Sequence, residues 1–319
     1  MSKFRIVITE PINRKGIDHL KDEGVDVVEL SPGSTQDDLL QLRNEYDALI
    51  TRGGIKISRG VMDQSPKLKV IGVHGIGCDH VDLEAAREKG IIVCNTPDAL
   101  TVTVAEMAIG LILSVLRNIV RADKAVRSGE WNRKYSDLIG VELSGKTVGI
   151  IGMGRIGQAT AERLRALGAN IIYFSRTRRR EIENSFGFEW KDLNELLADS
   201  DIISLHLPGT PETHHMIGNE EFEIMKNGVI LINTARGRVI DESALLEALQ
   251  SGKISSAALD VFEKEPLSTE NPLCNFNNVV LTPHLAASNI EGMERMALQV
   301  ADCVLKSLRG EIPDNPVVI

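Results

Sequence analysis

Apolar residues gather along this chain in short, β-branched runs of four to six, each followed by a longer stretch in which apolar positions recur every three or four residues. The runs at 4–9, 25–30, 47–51, 68–73, 91–94, 147–151, 170–174, 201–206, 229–233, 255–260 and 278–282 are predicted strands, and most of the stretches between them are predicted helices. Nearly all the runs are apolar throughout rather than alternating, which is the pattern of strands buried on both faces. Strand–helix alternation of this kind predicts an α/β chain with parallel sheets. Gly and Pro fall between the elements, and no low-complexity linker interrupts them.

At 319 residues the chain exceeds one domain of roughly 100–200 residues, so two are expected. Residues 1–98 form one set of units, ending at Asn95-Thr96-Pro97, with Pro97 as a natural hinge. A helical stretch from 99 to 127 leads into the second set. In it Leu111, Ile112, Val115, Leu116 and Ile119 offer more apolar surface than one domain is expected to cover, which predicts a homodimer through residues 99–127. The segment Ile290–Leu308 places Met293, Met296, Ala297, Val300 and Val304 on one face of an amphipathic helix. With no strand expected after it, that helix could pack on either set.

Composition narrows the function. A net charge of -9 argues against a nucleic-acid partner, since phosphate binding needs a surplus of Lys and Arg on one face. Hydrophobic content of 43% and charged content of 25% are ordinary for a soluble protein. Cys78, Cys94, Cys274 and Cys303 have neither metal-ligand nor C-x-x-C spacing and read as free thiols of a reducing compartment. The start, Met1-Ser2-Lys3-Phe4-Arg5-Ile6, lacks the apolar core of a signal peptide, so a cytoplasmic protein is expected. Val104 to Leu116 carries Glu106 and is too short to span a bilayer, so no membrane partner is expected. His214-His215 follows Pro211-Glu212-Thr213 without a carboxylate or cysteine at ligand spacing; it reads as a surface turn, and no metal is expected. Trp131 reads as packing or interface.

Chemistry enters at GIIGMGRIGQ, residues 149–158, which follows a predicted strand and opens a predicted helix. Gly152, Gly154 and Gly157 have the G-x-G-x-x-G spacing of a dinucleotide site: the first for a tight turn, the second for backbone approach to the pyrophosphate, the third for close helix–strand packing. Arg155 and Ile156 stand at the helix N-terminus, where phosphate charge is favoured. After the next strand, where an NAD site usually places an acid, the chain has Ser175-Arg176-Thr177-Arg178-Arg179-Arg180. A hydroxyl and a guanidinium there suit a 2′-phosphate, so NADP or NAD is expected, with NADPH preferred. The ordinary alternative, a solvated charged loop, fits Arg178 to Arg180 better than Arg176.

Three further stretches close or follow predicted strands: Asn233-Thr234-Ala235-Arg236-Gly237, Leu259-Asp260-Val261-Phe262-Glu263-Lys264-Glu265-Pro266 and Thr282-Pro283-His284-Leu285-Ala286. Strand ends are where a doubly wound sheet collects ligand contacts, and these bring a cation, an acid and an imidazole to one edge. Taken singly, Arg236 reads as a loop charge, Glu265 as a surface acid and His284 as a buried histidine.

Together with Gly75-Ile76-Gly77-Cys78-Asp79-His80-Val81-Asp82, these stretches resemble the D-isomer-specific 2-hydroxyacid dehydrogenases, in this order and over nearly the whole chain. The resemblance implies that Arg236 binds substrate carboxylate and carbonyl, that His284 is the acid/base and that Glu265 holds it. It gives Ile76 and Gly77, after Gly75, as carboxylate-binding amides, Asp260 as the nicotinamide-amide contact, and Thr234 and Ala235 as cofactor neighbours. It also implies a Rossmann-type cofactor domain, 99–288, inserted in a flavodoxin-like substrate domain, 1–98 plus 289–319. The implied substrate is a small 2-oxo or 2-hydroxy acid.

Two subgroups are close: glyoxylate/hydroxypyruvate reductases and 3-phosphoglycerate dehydrogenases. Arg52 stands where the latter have a phosphate-binding Arg, while a second such Arg is replaced by Val73, with His74 beside it. The end at Ile319 is read as leaving no room for the regulatory serine-binding domain some of them carry. The reductase reading is therefore preferred, with a short-form D-3-phosphoglycerate dehydrogenase as the alternative. A reading of another class, an NAD(H)-sensing corepressor, calls for peptide-docking surface and disordered flanks that the sequence does not display.

Overall fold

Residues 4–42 and 45–319 are described by the structure, a computed structural model. The chain divides into two compact units, one of Met1–Thr103 with Ala287–Ile319 and the other of Val104–Ala286. The strands are β1 (Arg5–Ile8), β2 (Asp26–Glu29), β3 (Ala48–Thr51), β4 (Val70–Val73), β5 (Ile92–Cys94), β6 (Thr147–Ile151), β7 (Asn170–Phe174), β8 (Glu189–Trp190), β9 (Ile202–Leu205), β10 (Val229–Asn233), β11 (Ile254–Leu259), β12 (Val279–Leu281) and β13 (Pro316–Val318). All eleven expected strands form, and β8 and β13 are additional.

In the first unit the sheet order is β13-β5-β4-β3-β1-β2. The five parallel strands have the flavodoxin-like order 2-1-3-4-5. β13 pairs antiparallel with β5, Val318 opposite Val93, so this sheet is mixed. The helix Ile290–Leu308 is capped by Asn289, whose Oδ1 accepts the Gly292 N–H at 2.6 Å. Of its buried face, Ala297, Val300 and Val304 pack with Ile6, Ile8, Ile50 and Val70, and Met296 is buried beside them on the same helix. Gly72 makes that contact possible, because a Cβ there would lie 2.6–2.7 Å from methyl groups of Val304 and Val300. The expectation that no strand follows this helix is corrected by β13.

In the second unit the order is β12-β11-β10-β9-β6-β7-β8, all parallel, with the reversal between β6 and β9. A crevice outside the carboxyl ends of those two strands is where a doubly wound sheet takes its ligand. β9 and β10 are buried at every position, as their apolar runs require.

The stretch 99–127 is not one helix. Thr101–Leu116 ends at Arg117, Asn118 adopts the left-handed conformation (φ 53°), and a second helix runs from Ile119 to Arg127. Leu111, Ile112, Val115 and Leu116 are buried with Leu143, Val148, Ile150 and Leu164, so they supply no free surface. The exposed apolar groups are Val102 in the first helix and, beyond it, Ile119, Val120, Val126, Trp131, Tyr135 and Ile139; Trp131, 62% exposed, is not core packing. A 3-10 turn at Asp98–Leu100 extends the apolar helix, so that Asp98–Leu116, with 19 residues and mean hydropathy 2.1, is by length and composition long enough to cross a membrane. The expectation that it is too short is corrected, although 56% of it is buried within the protein, as in the core helix of a globular domain.

Candidate active site

The glycine loop leaves β6 and opens the helix Arg155–Ala166. Gly152 has φ 101°, and a Cβ on it would stand 2.3 Å from the carbonyl oxygen of His206, the residue after β9. Gly157 packs on the loop itself, its missing Cβ 2.0 Å from the Gly152 carbonyl oxygen. Nothing lies within 4 Å of the Cβ position of Gly154. This is the combination a pyrophosphate needs: a tight turn, a close helix and an open backbone at the helix N-terminus, where Arg155 and Ile156 begin the first turn. His206 was not singled out by sequence. Burial pushes its pKa down to about 4, so it stands neutral, with Nε2 2.9 Å from Ser204 Oγ.

Beyond β7, Ser175 Oγ donates to the Thr177 carbonyl at 2.7 Å. Arg178 is taken up by Glu183 through two bonds of 2.8 and 2.7 Å and lies over the Trp190 ring. Arg176 is exposed and makes no side-chain hydrogen bond among the described residues.

At the ends of β10 and β11 two turns interlock. Asn233, 1% exposed, accepts the Ala235 N–H through Oδ1 and donates through Nδ2 to the Arg236 carbonyl, both at 2.9 Å. Gly237 has no room for a side chain: a Cβ would fall 1.8–2.4 Å from backbone atoms of Phe262 and Glu263. Glu265 Oε1 accepts the Phe262 N–H at 3.0 Å, and its Oε2 lies 2.8 Å from His284 Nδ1. Thr234 Oγ1 is buried without a partner among the described residues.

Electrostatics follow from this geometry. The hydrogen bond to Glu265 is the main cause that raises the His284 pKa above its ordinary value, against burial and the Arg236 charge. Burial of Glu265 works to raise its carboxyl, but the bond to His284, the Phe262 N–H and the Arg236 charge outweigh it, and the pKa is lowered. An imidazolium facing a carboxylate is the favoured pairing.

Asp260 is fully buried at the end of β11. Its Oδ1 accepts from Thr282 Oγ1 at 2.6 Å and from the Leu285 N–H at 2.7 Å, and its Oδ2 from the Ala286 N–H at 2.8 Å. The carboxylate therefore holds the turn on which His284, with φ 52°, is displayed. Three of its roughly four lone-pair sites are used in this way.

In the other unit, Gly75, Ile76 and Gly77 follow β4. The Gly75 carbonyl accepts from Thr96 N at 2.9 Å and the Ile76 carbonyl from Asn95 Nδ2 at 2.8 Å. The N–H groups of Ile76 and Gly77 have no acceptor among the described residues. Arg52 Nη1 donates to the Pro11 carbonyl at 2.7 Å and Nη2 approaches Met293 Sδ at 3.7 Å; its guanidinium bonds no carboxylate among the described residues, although the Glu10 carboxylate accepts its backbone N–H at 2.8 Å and acts on its charge. Val73 is 1% exposed within an apolar cluster. His74, also buried, has its pKa pushed down to about 4 by burial and by the nearby Arg52 charge.

The family described as D-isomer-specific 2-hydroxyacid dehydrogenase, NAD-binding domain, matches residues 109–286. The chain belongs to this family. It is 46% identical over 314 residues to the D-3-phosphoglycerate dehydrogenase of Methanocaldococcus jannaschii, which covers 98% of the chain but only 59% of that relative. It is 44% identical to the glyoxylate reductase of Thermofilum pendens, covering 98% of the chain and 94% of the relative. Among solved structures it is similar to an NADPH-dependent glyoxylate/hydroxypyruvate reductase of Sinorhizobium meliloti in complex with NADP and malonate, with a TM-score of 0.88, 34% identity, and coverage of 99% of this chain and 97% of that one.

Proposed function

We propose that the protein reduces a small 2-oxo acid to the D-2-hydroxy acid. The observation that carries this reading is the His284–Glu265 pair at 2.8 Å, under the charge of Arg236, at the strand ends of an NAD-binding domain. Bound NAD(P)H supplies the hydride. With Nδ1 committed to Glu265, His284 presents Nε2 as the atom that gives a proton to the substrate carbonyl oxygen. Arg236 faces the substrate carboxylate and the negative charge that grows on that oxygen, a preorganised arrangement of the kind that contributes most in such sites. Glu265 keeps the imidazolium populated near neutral pH. In their own unit, the N–H groups of Ile76 and Gly77 are assigned to the substrate carboxylate.

For the dinucleotide, Gly152, Gly154, Arg155, Ile156 and Gly157 are assigned to the pyrophosphate, Ser175, Arg176 and Thr177 to the adenosine ribose, and Thr234, Ala235 and Asp260 to the nicotinamide end. The absence of an acid at 175 and the exposed Arg176, whose charge acts on the Glu212 carboxylate, support a preference for NADPH.

A second reading, a short-form D-3-phosphoglycerate dehydrogenase, is favoured by Arg52, whose guanidinium bonds a carbonyl and a thioether with the Glu10 carboxylate nearby. Against it, Val73 offers no donor where a phosphate would need one. Initial rates with glyoxylate, hydroxypyruvate and 3-phosphohydroxypyruvate, each with NADH and NADPH, decide between them. The reductase reading expects higher kcat/KM for the first two; a higher value for the phosphorylated acid reverses the ranking.

The protein is further proposed to be a cytoplasmic homodimer. A dimer through residues 99–127 is supported by the exposed apolar groups Val102, Ile119 and Val126 of that stretch, followed by Trp131, Tyr135 and Ile139. Sedimentation at micromolar concentration should give twice the mass of 34.9 kDa, and a monomer would refute it.

A further inference from the structure

The His214-His215 turn is not isolated. The structure brings to it two carboxylates distant in sequence, which ligand spacing along the chain does not show: His215 Nε2 lies 2.7 Å from Glu263 Oε1, and Nδ1 lies 3.8 Å from Asp241 Oδ2. His214 stacks on the ring at 4.0 Å. His215 itself is left-handed, φ 49°, a conformation in which histidine, like Asn and Asp, is over-represented among non-glycine residues.

We propose that His215 is a positioning residue that clamps the turn carrying Arg236 to the turn carrying Glu265. The proposal rests on the reductase reading for its effect on turnover. On one side, the His215 N–H donates to the Arg238 carbonyl at 2.8 Å, and the Asp241 N–H donates back to Ile217 at 2.9 Å, so the histidine segment runs beside 238–241. On the other side, Glu263 Oε1 accepts the Glu242 N–H at 3.1 Å and stands in ion-pair contact with the imidazole at 2.7 Å. Glu263 follows Phe262, whose N–H holds Glu265, and the Phe262–Glu263 backbone is the surface against which Gly237 packs. The imidazole thus sits where the two turns meet. Without it, Asp241, Glu242 and Glu263 would face one another as like charges at the start of the helix Glu242–Gln250, and repulsion would push the Glu263 turn outward.

Three donor atoms within 4.8 Å also resemble a metal site. The geometry favours the clamp. Ligand atoms around a tetrahedral Zn²⁺ lie roughly 3.3 Å apart, farther than the 2.7 Å between His215 and Glu263. The ring also turns a different nitrogen to each carboxylate rather than pointing one atom at a shared centre.

The clamp is tested on the His284 imidazole, whose neighbours are Glu265, Arg236 and Asp260. Its titration is followed by NMR in wild type, His215→Leu, His215→Ala and His215→Gln. Removing the clamp lets Glu265 drift from His284, so the His284 pKa should fall by about half a unit or more in the Leu and Ala variants. Gln, whose amide N–H₂ offers Glu263 a donor at the same place, should restore it. An unchanged or raised value overturns the proposal. Turnover should fall about three- to tenfold with dinucleotide affinity unchanged, in keeping with a partly exposed pair. If the wild-type protein reduces no 2-oxo acid, the reductase reading fails, while the titration still decides the clamp.

Discussion

The backbone N–H of His284 donates to the carbonyl of Asp260 at 2.9 Å, and the Asp260 carboxylate then receives the N–H groups of the next two residues. A buried acid thus builds the turn that presents the acid/base candidate. Asp260→Asn would set an amide N–H₂ against N–H donors and leave at least one of them unpaired. The expected cost is about 1–3 kcal/mol in stability, together with reduced turnover. Chemical denaturation should show an earlier midpoint; an unchanged midpoint would mean the carboxylate does not organise the turn.

The pH dependence has a definite sign. Reduction needs imidazolium at His284, whose pKa is raised by the Glu265 bond, so kcat/KM should hold on the acid side and fall as pH rises through that raised value. Glu265→Gln removes the anion, and the falling limb should move to lower pH, toward the ordinary value of about 6.5. The linked stability has the same origin. His284 contributes below its ordinary pKa and loses that contribution as pH rises through the raised one; Glu265, lowered, contributes above its ordinary pKa and loses it as pH falls through the lowered one. A limb that stays in place in Glu265→Gln would assign the titration to another group.

The glycine loop and the chemical strand ends were legible because each depends on local sequence: a short apolar run stops, and Gly, Arg, Glu or His follows within a few residues. What was not legible depends on contacts distant in the chain. β13 begins at Pro316, which lacks an N–H and is tolerated only at an edge, and it exists because β5 offers a free edge. β8 is two residues long. The break at Asn118 carries no Gly or Pro signal, and Leu111 and Ile112 look like surplus surface until Leu143 and Val148 are packed over them. His215 meets Asp241 and Glu263 only because three strand ends converge.

Coenzyme choice should depend on the loop after β7. An acid at 175 would accept from the ribose hydroxyls of NADH and repel a 2′-phosphate, and its absence admits NADPH. A charge-assisted bond from Arg176 contributes about 1.5–3 kcal/mol, or roughly ten- to a hundredfold in preference. Ser175→Asp with Arg176→Ala should shift selectivity toward NADH, chiefly through the KM for NADPH. A wild type that uses NADH tenfold more efficiently, with a ratio the double change leaves alone, would contradict this reading.

The most direct measurement is the turnover of His284→Ala with glyoxylate or hydroxypyruvate, beside its affinity for the dinucleotide. A positioned acid contributes roughly 10²–10⁴-fold, so kcat should fall by that factor while dinucleotide binding survives. Near-wild-type turnover in His284→Ala would contradict the account.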